Sequence, residues 1–188
     1  MLRRFVPCLA LLMAGHCWAT SALANSFFVD PAGATGTFEW DVFGADPNTP
    51  NAGPHAPDVQ QSGGAAAITV AGGGIVTGSK SLYSGFGPAT NATYTAAVTG
   101  ASTSSPFTTL ALQLGFDAAG NVPTPGSLLL DGVTPPTELV DRGAGSDGTR
   151  YFWAQWQTSA ATSYAVRFQA GAHVSLRGAQ IDYLNSAS

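Results

Sequence analysis

Beyond its first 24 residues the chain carries two histidines, His55 and His173, and eleven carboxylates that could move protons. A hydrolytic triad needs a nucleophile beside a histidine that a carboxylate orients. No G-x-S-x-G elbow occurs, and both cysteines, Cys8 and Cys17, fall within the first 24 residues. Asp58 is the only acid near either histidine in sequence. Triad chemistry is therefore not indicated. Paired carboxylates offer a second chemistry, glycoside hydrolysis, which needs two acids about 5–10 Å apart across the bond. Glu39 and Asp41 alternate with Phe38 and Trp40, so they share one strand face at a spacing of ~7 Å. A solvated strand face is the plainer reading of that pair.

Loop oxygens offer a third chemistry. Asp46, Asn48 and Asn51 lie in "ADPNTPN", Asp117 and Asn121 in "FDAAGN", and Asp141 and Asp147 in "DRGAGSDG". Calcium favours such hard ligands. None of these runs matches D-x-[DN]-x-[DN]-G, and Asp and Asn are ordinary turn residues. No organic cofactor is indicated, zinc lacks ligands, and a structural Ca²⁺ is the single candidate metal.

The densest chemistry is aromatic. "RYFWAQWQT", residues 150–158, holds two of the four tryptophans. In an extended strand Phe152, Ala154 and Trp156 share one wholly apolar face, which belongs in a core. Tyr151, Trp153, Gln155 and Gln157 share the other. Rings that stack on sugar CH faces beside amides that bond hydroxyls make a carbohydrate-binding strip. The same composition also suits a strand half-covered by a loop.

These residues need elements to hold them. Met1 to Arg4 form a basic head, Phe5 to Trp18 an apolar stretch too short to span a bilayer well, and Ala22-Leu23-Ala24 a small-x-small site. That order reads as a secretory signal, residues 1–24, leaving residues 25–188 as one mature domain. Loss of Arg3 and Arg4 takes the formal net charge from −4 to −6, with Lys80 the single remaining lysine. Such a balance argues against nucleic acid and anionic membrane surfaces as partners. With both cysteines in the leader, no disulfide is available to the mature part. No transmembrane segment follows the leader.

Period-two patterning pervades residues 25–188. "TFEWDVF" sets Phe38, Trp40 and Val42 against Glu39 and Asp41. "ATYTAAVTG" sets Tyr94, Ala96 and Val98 against threonines. "TLALQLGF" aligns Leu110, Leu112, Leu114 and Phe116, and "SYAVRFQ" aligns Tyr164, Val166 and Phe168. Gly- and Pro-rich runs separate these strands. Roughly ten strands predict an all-β fold, a β-sandwich of jelly-roll type. In "HVSLRGAQIDYL" the apolar parity switches across Gly178, which predicts a β-bulge at Arg177–Gly178. The Pro-rich "GADPNTPNAGPHAPDV" reads as an ordered surface loop or a crossover between sheets.

The segments "TFEWDVF", "HAPDV", "TELVDRG", "YFWAQWQ" and "SYAVRFQAGAHVSLRGAQIDYL" together resemble Gly- and Thr-rich bacterial exoproteins of the PEP-CTERM/exosortase-associated type. The resemblance covers most of residues 25–188, through loose and mainly structural motifs. It implies a β-sandwich displayed outside the cell. Such proteins end in a Val-Pro-Glu-Pro-type motif, an apolar span and a basic tail. This sequence ends at "DYLNSAS", and "NVPTPG" lies mid-chain with no span after it. Free secretion or non-covalent surface association is therefore expected, with the periplasm as the alternative compartment. The leading expectation is a secreted, non-catalytic exoprotein of the cell surface or matrix. A carbohydrate-binding module centred on Trp153, with a polysaccharide partner, comes second, and a glycan-active enzyme third.

Overall fold

The computed structural model describes residue 28 and residues 31–44, 51, 53–61, 64–71, 73–84, 91–117, 123 and 125–186. Residues 1–24, read above as the leader, lie outside the described residues. The strands, in chain order, are β1 (Gly36–Trp40), β2 (Val59–Gln60), β3 (Ala65–Ala71), β4 (Gly74–Val76), β5 (Leu82–Ser84), β6 (Ala92–Thr99), β7 (Phe107–Asp117), β8 (Leu129–Leu130), β9 (Glu138–Ala144), β10 (Thr149–Ser159), β11 (Ser163–Ala170) and β12 (Val174–Ser186). They form an all-β sandwich of two antiparallel sheets. The larger sheet runs β2-β1-β12-β7-β10-β9, with the β4–β5 hairpin attached to β12, and the smaller runs β3-β6-β11-β8. Successive strands change sheet repeatedly along the chain, as from β6 to β7, from β10 to β11 and from β11 to β12.

Alternation decides which side chains enter the core. β11 pairs with β6 so that Tyr164 faces Val98, Val166 faces Ala96 and Phe168 faces Tyr94. β10 pairs with β7 so that Phe152 faces Leu114, Ala154 faces Leu112 and Trp156 faces Leu110. All of these are buried. Tyr94 stacks on Phe168 at 5.1 Å, and Phe116 meets Tyr94, Phe152 and Phe168 edge-on, tying the two sheets together. Four polar tips in this aromatic core are bonded, as burial requires. The Tyr94 hydroxyl donates to Ser84 Oγ, Tyr164 to Thr108 Oγ1, Trp156 Nε1 to the Thr134 carbonyl and Trp40 Nε1 to the His55 carbonyl.

The bulge expected at Arg177–Gly178 is present. Leu176 pairs with Phe116 and Gly178 with Gly115, so Arg177 is the extra residue. A Cβ on Gly178 would stand 3.0 Å from the Trp40 carbonyl oxygen and 3.2 Å from the Phe28 ring, which explains the glycine. Beyond it Ala179, Ile181 and Tyr183 are buried on the core side.

One expectation fails. Val42 was placed on the inward set of "TFEWDVF", yet β1 ends at Trp40 and Val42 is 42% exposed. The chain bends at residues 41–42, and Phe43 takes the core position at 0% exposure. The Phe43 N–H donates to the Lys80 carbonyl at 2.9 Å, which anchors the new direction. Strict alternation cannot survive that bend.

Candidate functional site

Opposite the core, the outer face of the larger sheet gathers the long polar side chains. Register places them in rows across the strands. Trp153 on β10 is opposite Gln113 on β7, Gln113 is opposite Gln180 on β12, and Gln180 is opposite Glu39 on β1. A second row runs Gln155, Ala111, Asp182, Thr37. β9 brings Val140 beside Trp153 and Glu138 beside Gln155.

The rows are knitted by hydrogen bonds. Thr37 Oγ1 donates to Asp182 Oδ1 at 2.7 Å, and Gln180 Nε2 donates to both Asp182 oxygens at 2.9–3.0 Å. Arg142 Nη1 donates to Gln113 Oε1 at 3.2 Å, and its guanidinium carbon lies 5.9 Å from the Trp153 ring centroid. A shift in the β10·β9 register at Tyr151/Phe152 leaves Arg142 as an extra residue between Asp141 and Gly143.

Exposure grades across the face. Thr37, Glu39, Gln113, Gln180 and Asp182 are buried. Trp153 and Gln155 are half-buried, and Gln157, Glu138 and Arg142 are exposed. The accessible part is thus the β9–β10 margin. There Gln155 Oε1 is shielded from solvent and accepts no hydrogen bond. Such an acceptor is costly to leave unmet, and a donor supplied by a bound molecule would satisfy it.

Of the four expected strip residues, Trp153, Gln155 and Gln157 share this margin, and Tyr151 has a different occupation. A Cβ on Gly115 would be 3.3 Å from Tyr151 Cε1, and one on Gly145 would be 3.0 Å from Tyr151 Cε2. The Tyr151 ring therefore fills the space above both glycines. Phe28 meets it edge-on at 6.2 Å, and its hydroxyl donates to Asp147 Oδ2 at 3.1 Å. Burial, with the nearby Asp147 carboxylate, pushes the phenol up to about 12.

The acids weighed above for other chemistry make mostly local contacts. Glu39 is 6% exposed, so the solvated face expected for it is not what forms. Its side chain interacts with that of Asp41. Burial, opposed by that contact, and the neighbouring Asp58 hold the Asp41 carboxyl above the usual range. Asp58 accepts the Asp41 N–H rather than orienting a histidine. Asn51 caps the Gly53 N–H, Asp117 pairs with Arg177, and Asp141 accepts the Gly143 N–H and pairs with Arg150. Asp147 accepts from the Thr149 N–H and hydroxyl as well as from Tyr151. Asp46, Asn48 and Asn121 lie outside the described residues. Among the described residues no group of three or more His, Cys, Asp or Glu is placed to hold a metal ion. The His173 ring bonds Tyr83 Oη at 2.6 Å, and His55 is buried elsewhere, against Phe43.

Sequence reasoning missed the transverse rows. Gln113 stands out as the one amide within "TLALQLGF", and Gln180 and Asp182 occupy the outward parity of β12. Their alignment with Trp153 follows from strand order, which no local pattern contains. Among the described residues no helix is long and apolar enough to cross a membrane. Comparisons with protein-family models, with curated proteins and with solved structures found no match for this chain.

Proposed function

We propose that this chain is a secreted, non-catalytic β-sandwich exoprotein that acts at the cell surface or in the extracellular matrix. The observation that carries this reading is how the described acids and histidines are used. Asp58, Asp117, Asp131, Asp141, Asp147, Asp182 and His173 each serve a turn, an ion pair or a bond between segments, which supports a scaffold rather than a reaction centre. The leader-like start and the resemblance to PEP-CTERM-associated exoproteins support export. Mass spectrometry of protein recovered from the medium tests it. The expected first residue is Asn25, and an intact Met1 in exported material refutes the processing.

A second reading, carbohydrate binding, is favoured by one feature of the β9–β10 margin. The unmet Gln155 acceptor lies on the same face as the half-exposed Trp153 ring, with Gln157 beyond it. A neutral glycan would offer a CH face to the indole and a hydroxyl to the amide. Arg142 would have to swing off the indole to admit it. Retention on insoluble polysaccharides, compared between the wild type and Trp153→Ala, tests this. Loss of retention in the variant is expected, and a wild type that is not retained ends the binding reading.

A further inference from the structure

His55 is buried at 3% exposure, and its Nε2 has no hydrogen-bond partner. It sits where the loop between β1 and β2 touches both sheets. Its backbone exchanges two bonds with Ile68 on β3: His55 N–H to the Ile68 carbonyl at 2.8 Å, and Ile68 N–H back at 3.0 Å. The same His55 carbonyl also accepts Trp40 Nε1 from β1 at 2.9 Å. One peptide unit thereby clamps the smaller sheet to the larger. The imidazole lies edge-on to Phe43 at 5.6 Å. The fit around the clamp is close, since a Cβ on Gly53 would stand 2.6 Å from the Ile68 carbonyl oxygen.

A neutral imidazole is tolerated here. A protonated one would place a charge and a donor without an acceptor in an apolar site, which is far costlier. We propose that His55 is an acid-operated latch: while its ring is neutral, residues 53–58 lock the two sheets together, and protonation frees that segment while the rest of the sandwich stays folded.

Among the described residues the charges nearby do not oppose this. β3 and β4, packed against the segment, carry no titratable side chain. Glu39 alternates with Trp40 on β1, and Asp58 accepts the Asp41 N–H. Lys80 contributes its carbonyl to the Phe43 N–H. Burial holds the His55 ring below its ordinary value of 6.5, opposed by a backbone hydrogen bond with Asn51. The closed segment is therefore fully favoured above pH 6.5 and loses ground as pH falls toward the lower value of the closed ring. Asp41 works in the opposite sense, because a carboxyl raised in the fold favours the folded state in acid.

Hydrogen exchange tests the latch through the His55 and Ile68 amides, after correction for the intrinsic chemical rate at each pH. With an open-state value near 6.5, opening should rise from pH 7.5 to pH 5.0 by up to about 30-fold, the limit for a closed ring that stays neutral throughout. Amides of Phe152 and Leu114, in the β10·β7 pairing, should not follow. His55→Gln should flatten the response, and His173→Gln should preserve it. A wild type without the rise, or a His55→Gln protein that keeps it, overturns the latch. If His55→Gln does not fold, NMR titration of the wild-type ring decides: the latch requires that His55 stay neutral below pH 6.5, and an ordinary titration overturns it.

Discussion

The two faces of β10 have nearly the same aromatic content and opposite fates. Inward, Phe152 and Trp156 are buried in the core, and the one polar atom, Trp156 Nε1, is satisfied by the Thr134 carbonyl. Outward, Tyr151 is pinned above two glycines, and Trp153 lies half-open under the Arg142 guanidinium. The difference teaches that ring content alone does not separate core from surface. Neighbours on adjacent strands decide it: leucines opposite the inward rings, and glycine and glutamine opposite the outward ones.

The sharpest way to break this comparison is at its inward end. Trp156→Ala should cost about 3–5 kcal/mol in denaturant unfolding, as for other large rings deleted from cores. A cost under about 1 kcal/mol would make the two faces equivalent.

Tyr151 should fall between the extremes. Tyr151→Ala removes a half-buried ring and uncovers Gly115, and should cost about 1–3 kcal/mol. Its phenol supplies a separate check. Tyr94, raised by burial and partly lowered by its Ser84 hydrogen bond, and Tyr151 are both pushed up to about 12. Alkaline absorbance titration should therefore show one late tyrosine fewer in Tyr151→Phe than in the wild type. Because the folded value is raised, the linked stability is complete below pH 10 and is lost as pH climbs from 10 toward 12. Tyr151→Phe should unfold less steeply across that window.

At the outward end Trp153→Ala should lower stability by under about 1 kcal/mol while removing any polysaccharide retention. A variant that unfolds would mean that Trp153 is a framework residue like Tyr151. Gln157→Ala should change stability by no more than about 0.5 kcal/mol, because that side chain is exposed. A larger loss would show that the strand's open end is covered.

Much of the fold was legible in the residues. Leu110, Leu112, Leu114 and Phe116 on β7, and Tyr164, Val166 and Phe168 on β11, are buried as their alternation requires. The parity switch across Gly178 located the bulge, because a slip of one residue would turn Ile181 and Tyr183 outward. Val42 was misplaced because a bend hands its place to Phe43. The shift in β9 that frees Arg142 left no comparable mark, since "ELVDRGA" is exposed along most of its length and has no apolar parity to break.

The sequence by itself determined the class of fold and the side of each long strand that meets the core. Those properties follow from local alternation, which any extended chain obeys. It also separated the apolar face of β10 from its mixed face. Only the tertiary structure decided how that mixed face is arranged. The chain order of Thr37, Glu39, Gln113, Trp153 and Gln180 spans most of the molecule, and only strand pairing brings them into rows. Likewise His55 is one histidine in a Pro-rich loop until Ile68 and Trp40 reach it from opposite sheets. Contacts between residues far apart in sequence carry no periodic signal, so the margin and the latch became visible only after the strands had paired.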